Sequence, residues 1–262
     1  MIKAMRTAAS GMTAQQMNVD NIANNLANVN TTGYKRSKVE FQDVLYQRLQ
    51  QAGISTATGS VIPTNLEVGY GVKPVATTRQ YDMGELSATE NPFDMAINGN
   101  GFFQVTLPDG TTGYTRDGTF KVSSDGRLTT SDGYFLTPEI TIPEDAESVS
   151  ISAEGVVSVM QVGQTDPTEV GQLELARFIN PAGLSALGHN LLEVTAASGD
   201  PVTGVPGEEG LGSIAQGYLE VSNVDVVAEM VNMIIAQRAY EINSKAIQTS
   251  EDMTQIANNL KR

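Results

Sequence analysis

Cysteine and tryptophan are absent from the 262 residues, and histidine occurs once, at His189. No disulfide framework can form, and a lone imidazole without thiolates excludes a zinc site of ordinary type. Aromatic residues make up only 6% of the chain, so any core must be built mainly from aliphatic side chains. No apolar run reaches the length of a membrane span, and residues 1–30 lack the apolar core and small-residue cleavage site of a secretory signal. If the protein leaves the cytosol, another route carries it. Positive charge is scarce as well: 16 Lys and Arg against 30 Asp and Glu leave a net charge of −14. That deficit is local, because residues 1–80 carry +4, residues 81–222 carry −17 and residues 223–262 carry −1. Nucleic acid and anionic membrane do not suit so acidic a middle. Its carboxylates read as an outward face that keeps the protein soluble.

What the chain does have is a long periodic stretch at each end. From Asn223 to Leu260 no Gly or Pro intervenes, and Val224, Ala228, Val231, Ile235, Ala239, Ile242, Ala246, Thr249, Met253, Ile256 and Leu260 recur at steps of three and four, a helical seam with one stutter. Ser222 is the expected N-cap, with Asp225 three residues on facing the positive end of the helix dipole. Such a helix is roughly 57 Å long, more than a compact domain of this size covers along its length. At the other end Met5, Ala8, Met12, Gln15, Val19, Ile22, Leu26 and Val29 form an unbroken heptad seam. The two seams can pack on each other as an antiparallel pair within one chain, or be covered by other copies. Six Asn between Asn18 and Asn30, with Gly11, each cost up to about 1 kcal/mol against Ala, so the first helix should be poorly formed alone. Asn18, Asn21, Asn25 and Asn28 also make a polar stripe beside the seam, and carboxamides that both donate and accept can fix helix register. The residues expected to make assembly contacts are therefore Met5, Met12, Val19, Ile22, Leu26, Asn25, Asn28 and Val29 at one end and Val224, Val231, Ile235, Ile242, Met253, Ile256 and Leu260 at the other.

Between the helices the period changes. Gly33 can end the first helix in the left-handed conformation, with Lys35, Arg36 and Lys38 near its negative end. Phe41, Val44, Leu45 and Leu49 read as a further short helix, and Gln50 to Asn65 as a linker or loop. Phe93, Met95 and Ile97 then alternate, as do Phe103, Val105 and Leu107, around Asn98-Gly99-Asn100-Gly101, which reads as a hairpin. Asp109-Gly110, Asp117-Gly118, Asp125-Gly126 and Asp132-Gly133 mark recurrent turns between short strands, with further strands expected at 140–142, 149–151, 156–159, 173–178 and 191–194. The expected fold class is thus α+β. Helices about 1–31 and 223–260 form a coiled-coil-like terminal domain (1–80, extended over about 34–80, with 213–262), and an all-β domain (81–212) is inserted between them.

Chemistry is hard to find. Gly99-Asn100-Gly101 lacks the third Gly and the following helix of a nucleotide loop, His189 has no second ligand or nucleophile elbow, and Glu144-Asp145 and Glu208-Glu209 have nothing near to raise one pKa. No catalytic residue, cofactor or metal is expected. The rival reading, a carbohydrate-active β-domain enzyme with helical tails, needs two carboxylates brought together by folding.

Motifs in three parts of the chain carry a resemblance. Residues 24–36, Asn-Asn-Leu-Ala-Asn-Val-Asn-Thr-Thr-Gly-Tyr-Lys-Arg, are similar to the N-terminal signature of the bacterial flagellar rod and hook proteins. Ser222-Asn223-Val224-Asp225, with Gln237-Arg238-Ala239-Tyr240-Glu241 and Asn243-Ser244-Lys245, resembles their C-terminal signature. Residues 98–103 and 114–120 resemble the start of their shared β domain. Length and the segment before Gly69-Tyr70-Gly71-Val72 look most like the distal-rod members of that family, a hook subunit being expected to carry a much larger middle; the proximal rod proteins share the end motifs. The resemblance implies a homo-polymeric helical tube in the periplasm, terminal helices lining a channel and β domains outside. It further implies delivery without a cleavable signal by the flagellar export apparatus, torque passed to the hook protein, rotation inside the P-ring and L-ring proteins, and Gln50 to Asn65 locking adjacent subunits.

Overall fold

The computed structural model describes residues 2–53, 63–163 and 166–260. The chain is α+β, with one helix toward each end and strands between. It divides into two compact units, one of Met1–Leu26, Ser37–Thr78 and Asp225–Arg262, the other of Ala27–Arg36 and Arg79–Val224. The N-terminal helix, α1, spans Ile2–Ala27, and the C-terminal helix, α2, spans Val226–Asn259. Both are shorter than the sequence pattern predicts. After Ala27 the chain turns, with Thr31 N–H on the Asn28 carbonyl, and reaches Gly33 at φ 66°. The cap of α2 is Asp225, not Ser222. Its carboxylate accepts from Val227 N at 2.9 Å and Ala228 N at 3.1 Å, whereas Ser222 is buried.

In the first unit the two helices run antiparallel. Asn25 donates to Glu229 at 3.4 Å, and a Cβ on Gly11 would lie 2.9 Å from Asn243 Nδ2, so a step forward along α1 is a step back along α2. The intrachain pair is thus present. The short helix expected around Phe41 is not: Ser37–Asp43 is a strand paired with Val72–Arg79, and Tyr46–Gln50 is a strand antiparallel to Leu66–Gly69. Burial alternates over the first four residues of Ser37–Asp43, Ser37 and Val39 being buried and Lys38 and Glu40 exposed, and the alternation ends at Phe41, which is exposed. Most of Gln50 to Asn65, the stretch expected to lock adjacent subunits, lies outside the described residues.

The second unit is built on a nine-stranded sheet. Its strand Phe102–Thr106 pairs antiparallel with Thr112–Thr115, Phe135–Thr137 and Leu175–Arg177. Side chains alternate across this strand, and both faces are covered. Phe103 and Val105 enter a core with Met95, Ile97, Phe120, Leu128 and Val157, while Phe102 enters a second cluster with Tyr114, Phe178 and Leu192. Edge-to-face ring pairs mark both, Phe103 on Phe120 at 5.1 Å and Phe102 on Phe178 at 5.7 Å, each adding about 0.5–1.5 kcal/mol beyond area. A three-stranded antiparallel sheet of Ala146–Ile151, Val156–Gln161 and Thr168–Gln172 completes the strand-built body.

Two expected turns take other forms. Asp109-Gly110, Asp125-Gly126 and Asp132-Gly133 close hairpins with left-handed glycines, but Gly118 is absent from that set. It sits where a Cβ would come 1.6 Å from the Met95 carbonyl, so close packing is what requires glycine there. Nor does Asn98-Gly99-Asn100-Gly101 close a hairpin. Met95–Asn98 pairs with Ser213–Gln216 from far along the chain, and the glycines carry the backbone from that sheet into the nine-stranded one. Residues 140–142 make only an isolated bridge at Thr141, with Ile140 and Ile142 turned into the core.

Candidate assembly face and a buried ionic junction

The assembly residues expected from the sequence separate into two groups. On α1 and its following turn, Ile22 and Asn25 are buried and Met5, Met12, Val19, Leu26, Asn28 and Val29 are half-buried. Val224 is buried as well, in the second unit. On α2 the seam is bare: Val231 is 50% exposed, Ile235 60%, Ile242 67%, Met253 55%, Ile256 59% and Leu260 83%. What α2 turns inward is a different stripe. Glu229, Ala236 and Ser250 are buried, with Asn232, Ala239, Asn243 and Ile247 half-buried between them and Thr254 half-buried beyond. Steps of three and four connect these residues too, but apart from Ile247 each is small or polar. The helix therefore packs within its own unit through a mainly small and polar stripe and leaves its larger apolar seam outward, unlike an ordinary surface helix.

Polar specificity in this unit centres on Ser37. Asn21 Nδ2 and Asn25 Nδ2 each donate to the Ser37 carbonyl at 2.8 Å, Asn25 Oδ1 accepts from Ser37 N at 3.0 Å, and the Ser37 hydroxyl donates to Asn21 Oδ1 at 2.6 Å. Two members of the asparagine stripe thus treat one residue as a neighbouring strand would, exchanging donor and acceptor with its backbone. These bonds tie α1 to the start of the strand Ser37–Asp43 inside one chain.

The second unit holds an ionic junction that composition and spacing did not reveal. Glu220, at the end of the strand Tyr218–Glu220, is 2% exposed. Its Oε1 accepts from Lys35 Nζ at 2.5 Å and from Gly84 N at 2.9 Å, while its Oε2 lies 3.1 Å from Arg116 Nε. Both cations are themselves buried. Lys35 also donates to the Asp82 carbonyl, and Arg116 donates to the carbonyls of Gly99 and Gly101. Burial lowers the pKa of Lys35, Glu220 opposes that, and the positive Arg116 adds to it; burial lowers Arg116 likewise. Two cations on one carboxylate leave an excess positive charge there. Beside them Asn223 ties backbone to backbone, accepting from Arg36 N at 2.7 Å and donating to the carbonyls of Gln80 and Asp82 at 2.9 and 3.0 Å. The junction shapes and orients the chain, and no group in it is poised to transfer a proton or attack a substrate.

An α+β chain with a helix toward each end, a strand-built body between and an apolar helix face turned outward defines a structural subunit. Comparison with known proteins places that class. A model described as flagella basal body rod protein matches residues 5–35, one described as flagellar hook protein FlgE/F/G D1 domain matches 96–159, and one described as flagellar basal body rod FlgEFG protein C-terminal matches 215–260. Each matched segment supplies one member of the junction: Lys35, Arg116 and Glu220. Relatives called flagellar basal-body rod protein FlgG match almost end to end. That of Borreliella burgdorferi is 54% identical over 100% of both chains, that of Caulobacter vibrioides 48% over 99% of this chain and 100% of its own, and that of Bacillus subtilis 38% over 100% of both. The chain belongs to the flagellar FlgE/F/G family and is a structural subunit of the flagellar basal-body rod.

Proposed function

We propose that this chain is the repeating subunit of the distal rod, polymerising into a rigid tube in the periplasm that passes motor torque to the hook and surrounds the export channel. The observation that carries the reading is the bare apolar face of α2. Fully covering a Val, Ile, Leu or Met side chain contributes roughly 1.5–3 kcal/mol. Six such residues already half covered would therefore contribute roughly 5–9 kcal/mol per subunit when neighbours close over them. In this reading the terminal segments (1–80 with 213–262) make the coiled-coil-like inner layer of the tube and the inserted β-rich segment (81–212) its outer layer. Met5, Met12, Val19, Leu26 and Val29 join the α2 seam in contacts between copies. The seams complete their order only on joining the tube, which keeps the chain exportable through the flagellar apparatus without a cleavable signal. The tube has proximal rod proteins below, the hook protein above, and the P-ring and L-ring proteins around it. No catalytic step, cofactor or membrane insertion belongs to this role. No described helix is long and apolar enough to cross a membrane, and the carbohydrate-active alternative finds no support among the relatives.

The test uses purified full-length chain and the double variant Ile235→Ser/Ile242→Ser. Both positions are mostly exposed in the single chain, so dilute monomer should keep its circular dichroism and melting temperature. Wild type should sediment as rods above a critical concentration and the variant should not. Rods of equal yield from both proteins would remove the proposal.

A further inference from the structure

Of the cationic side chains of the second unit, Lys121 and Arg177 are exposed singly, with no ion pair among the described residues. Arg127 is neutralised by Asp125 and Glu139, and it lies over the Phe135 ring at 3.7 Å. Arg116 and Lys35 sit on Glu220. These last two nevertheless form part of the wall of a cavity of about 230 Å³, together with Arg79, Tyr34, Tyr81 and His189, and no carboxylate lines it. Glu220 offsets one of its two buried neighbours, and Arg79 forms no ion pair among the described residues. The cavity is thus a cationic recess in a unit whose carboxylates otherwise face solvent, all but Asp94, Asp117 and Glu220 among residues 81–222 being exposed where described.

We propose that this recess receives a carboxylate side chain from a second copy of the same chain. The inference rests on the rod reading and deepens it. Units with so large an excess of surface acid repel one another when brought side by side, and attraction is available only where the acid of one copy meets uncompensated cations of the next. The volume is below the range usual for small-molecule ligands, and it suits a single carboxylate. Arg79, half-buried in the wall, supplies a planar fork that a carboxylate can bridge, while the excess charge of the Lys35, Arg116 and Glu220 group draws the incoming acid inward. The contact therefore selects for like subunits and holds the acidic bodies at a fixed offset.

The experiment uses the full chain carrying Arg79→Lys, mixed from isotope-labelled and unlabelled batches, polymerised and treated with a zero-length carbodiimide. Expected is an amide between position 79 of one isotopic batch and an Asp or Glu of the other, present in rods and absent from monomer. Arg79→Met should leave the monomer's melting temperature unchanged and raise the critical concentration about tenfold, the equivalent of 1.4 kcal/mol. Wild-type rods together with coupling at position 79 confined to single chains, or with no coupling there while other crosslinks form, would overturn the proposal and leave the rod reading standing. Failure of wild type to form rods would strike the rod reading itself. Millimolar acetate or sulfate that stabilises wild-type monomer but not Arg79→Met, without coupling between chains, would also overturn it by showing a site for free anions.

Discussion

Replacing Glu220 by glutamine tests the ionic junction most directly. The substitution keeps the shape and one oxygen that can accept from Lys35 or the Gly84 amide, but it strips the carboxylate that Lys35 and Arg116, both buried, share. Removing one partner of a buried ion pair costs about 3–5 kcal/mol, chiefly because the remaining charge is left uncompensated. Here two charges are left, so the upper half of that range is expected. For a domain of 150–250 residues this corresponds to a fall in melting temperature of roughly 8–20 °C. The assay is urea denaturation of the full chain, kept monomeric by dilution and followed by circular dichroism. Glu220→Gln/Lys35→Met is run beside it to recover part of the loss, since only Arg116 then lacks a counter-charge. A Glu220→Gln midpoint within about 1 kcal/mol of wild type at unchanged m value would refute the reasoning, because the charges would then have to be reached by water despite their burial.

Other perturbations follow from the same contacts. Lys35→Met alone should change stability at neutral pH by less than about 1.5 kcal/mol, since it leaves a balanced Arg116 and Glu220 pair; urea midpoints measure it. The folded protein holds the Lys35 proton less tightly than the unfolded chain does. Wild-type stability should therefore rise with pH between the lowered Lys35 value and the ordinary lysine value near 10.4, and Lys35→Met should lack that rise; midpoints from pH 7 to 11 decide it. Asn25→Ala strands the Ser37 amide in a buried place, at a cost of about 1–3 kcal/mol, and hydrogen exchange should show Ser37 losing protection before the second unit does. Gly118→Ala drives a Cβ into the Met95 carbonyl and should abolish the near-ultraviolet signal of the second unit, whereas the same change at Gly110, where a Cβ meets nothing, should cost only the strain of a left-handed alanine, about 1–2 kcal/mol.

How much of this was legible depended on how local each cause was. The helices were legible because an uninterrupted period of three and four, sustained from Met5 to Val29 and from Val224 to Leu260, admits no other regular structure, and the hairpins at Gly110, Gly126 and Gly133 because Asp-Gly fixes its own turn. Ser37–Asp43 and Tyr46–Gln50 were misread because Phe41, Leu45 and Leu49 also fit a helical spacing. Pairing with Val72–Arg79 and Leu66–Gly69 decided the matter from outside the window. Asn98-Gly99-Asn100-Gly101 has the composition of a hairpin, yet its glycines are there to pass between sheets and offer carbonyls to Arg116. Least legible was the junction. Lys35 and Arg116 stood inside motifs that could be recognised, but nothing along the chain says which of 30 acids will meet them, and Glu220 lies 185 positions from Lys35.

The two stripes of α2 show why the seam could be read correctly and still not describe the single chain. The single chain exposes Ile235 and Ile242 while burying Ala236 and Ser250, so apolar area within the chain does not set which face of α2 turns inward. Asn25 takes part in that choice: it engages Ser37 and also donates to Glu229 on α2 at 3.4 Å, so turning α2 about its axis would break the Asn25–Glu229 contact, a charged hydrogen bond of about 1.5–3 kcal/mol. The polar stripe therefore favours the observed facing of α2, and the apolar stripe is left outward. One helix thereby holds two separable instructions, a specific one that sets the register of the pair within a chain and a strong, unspecific one that remains for whatever next covers it.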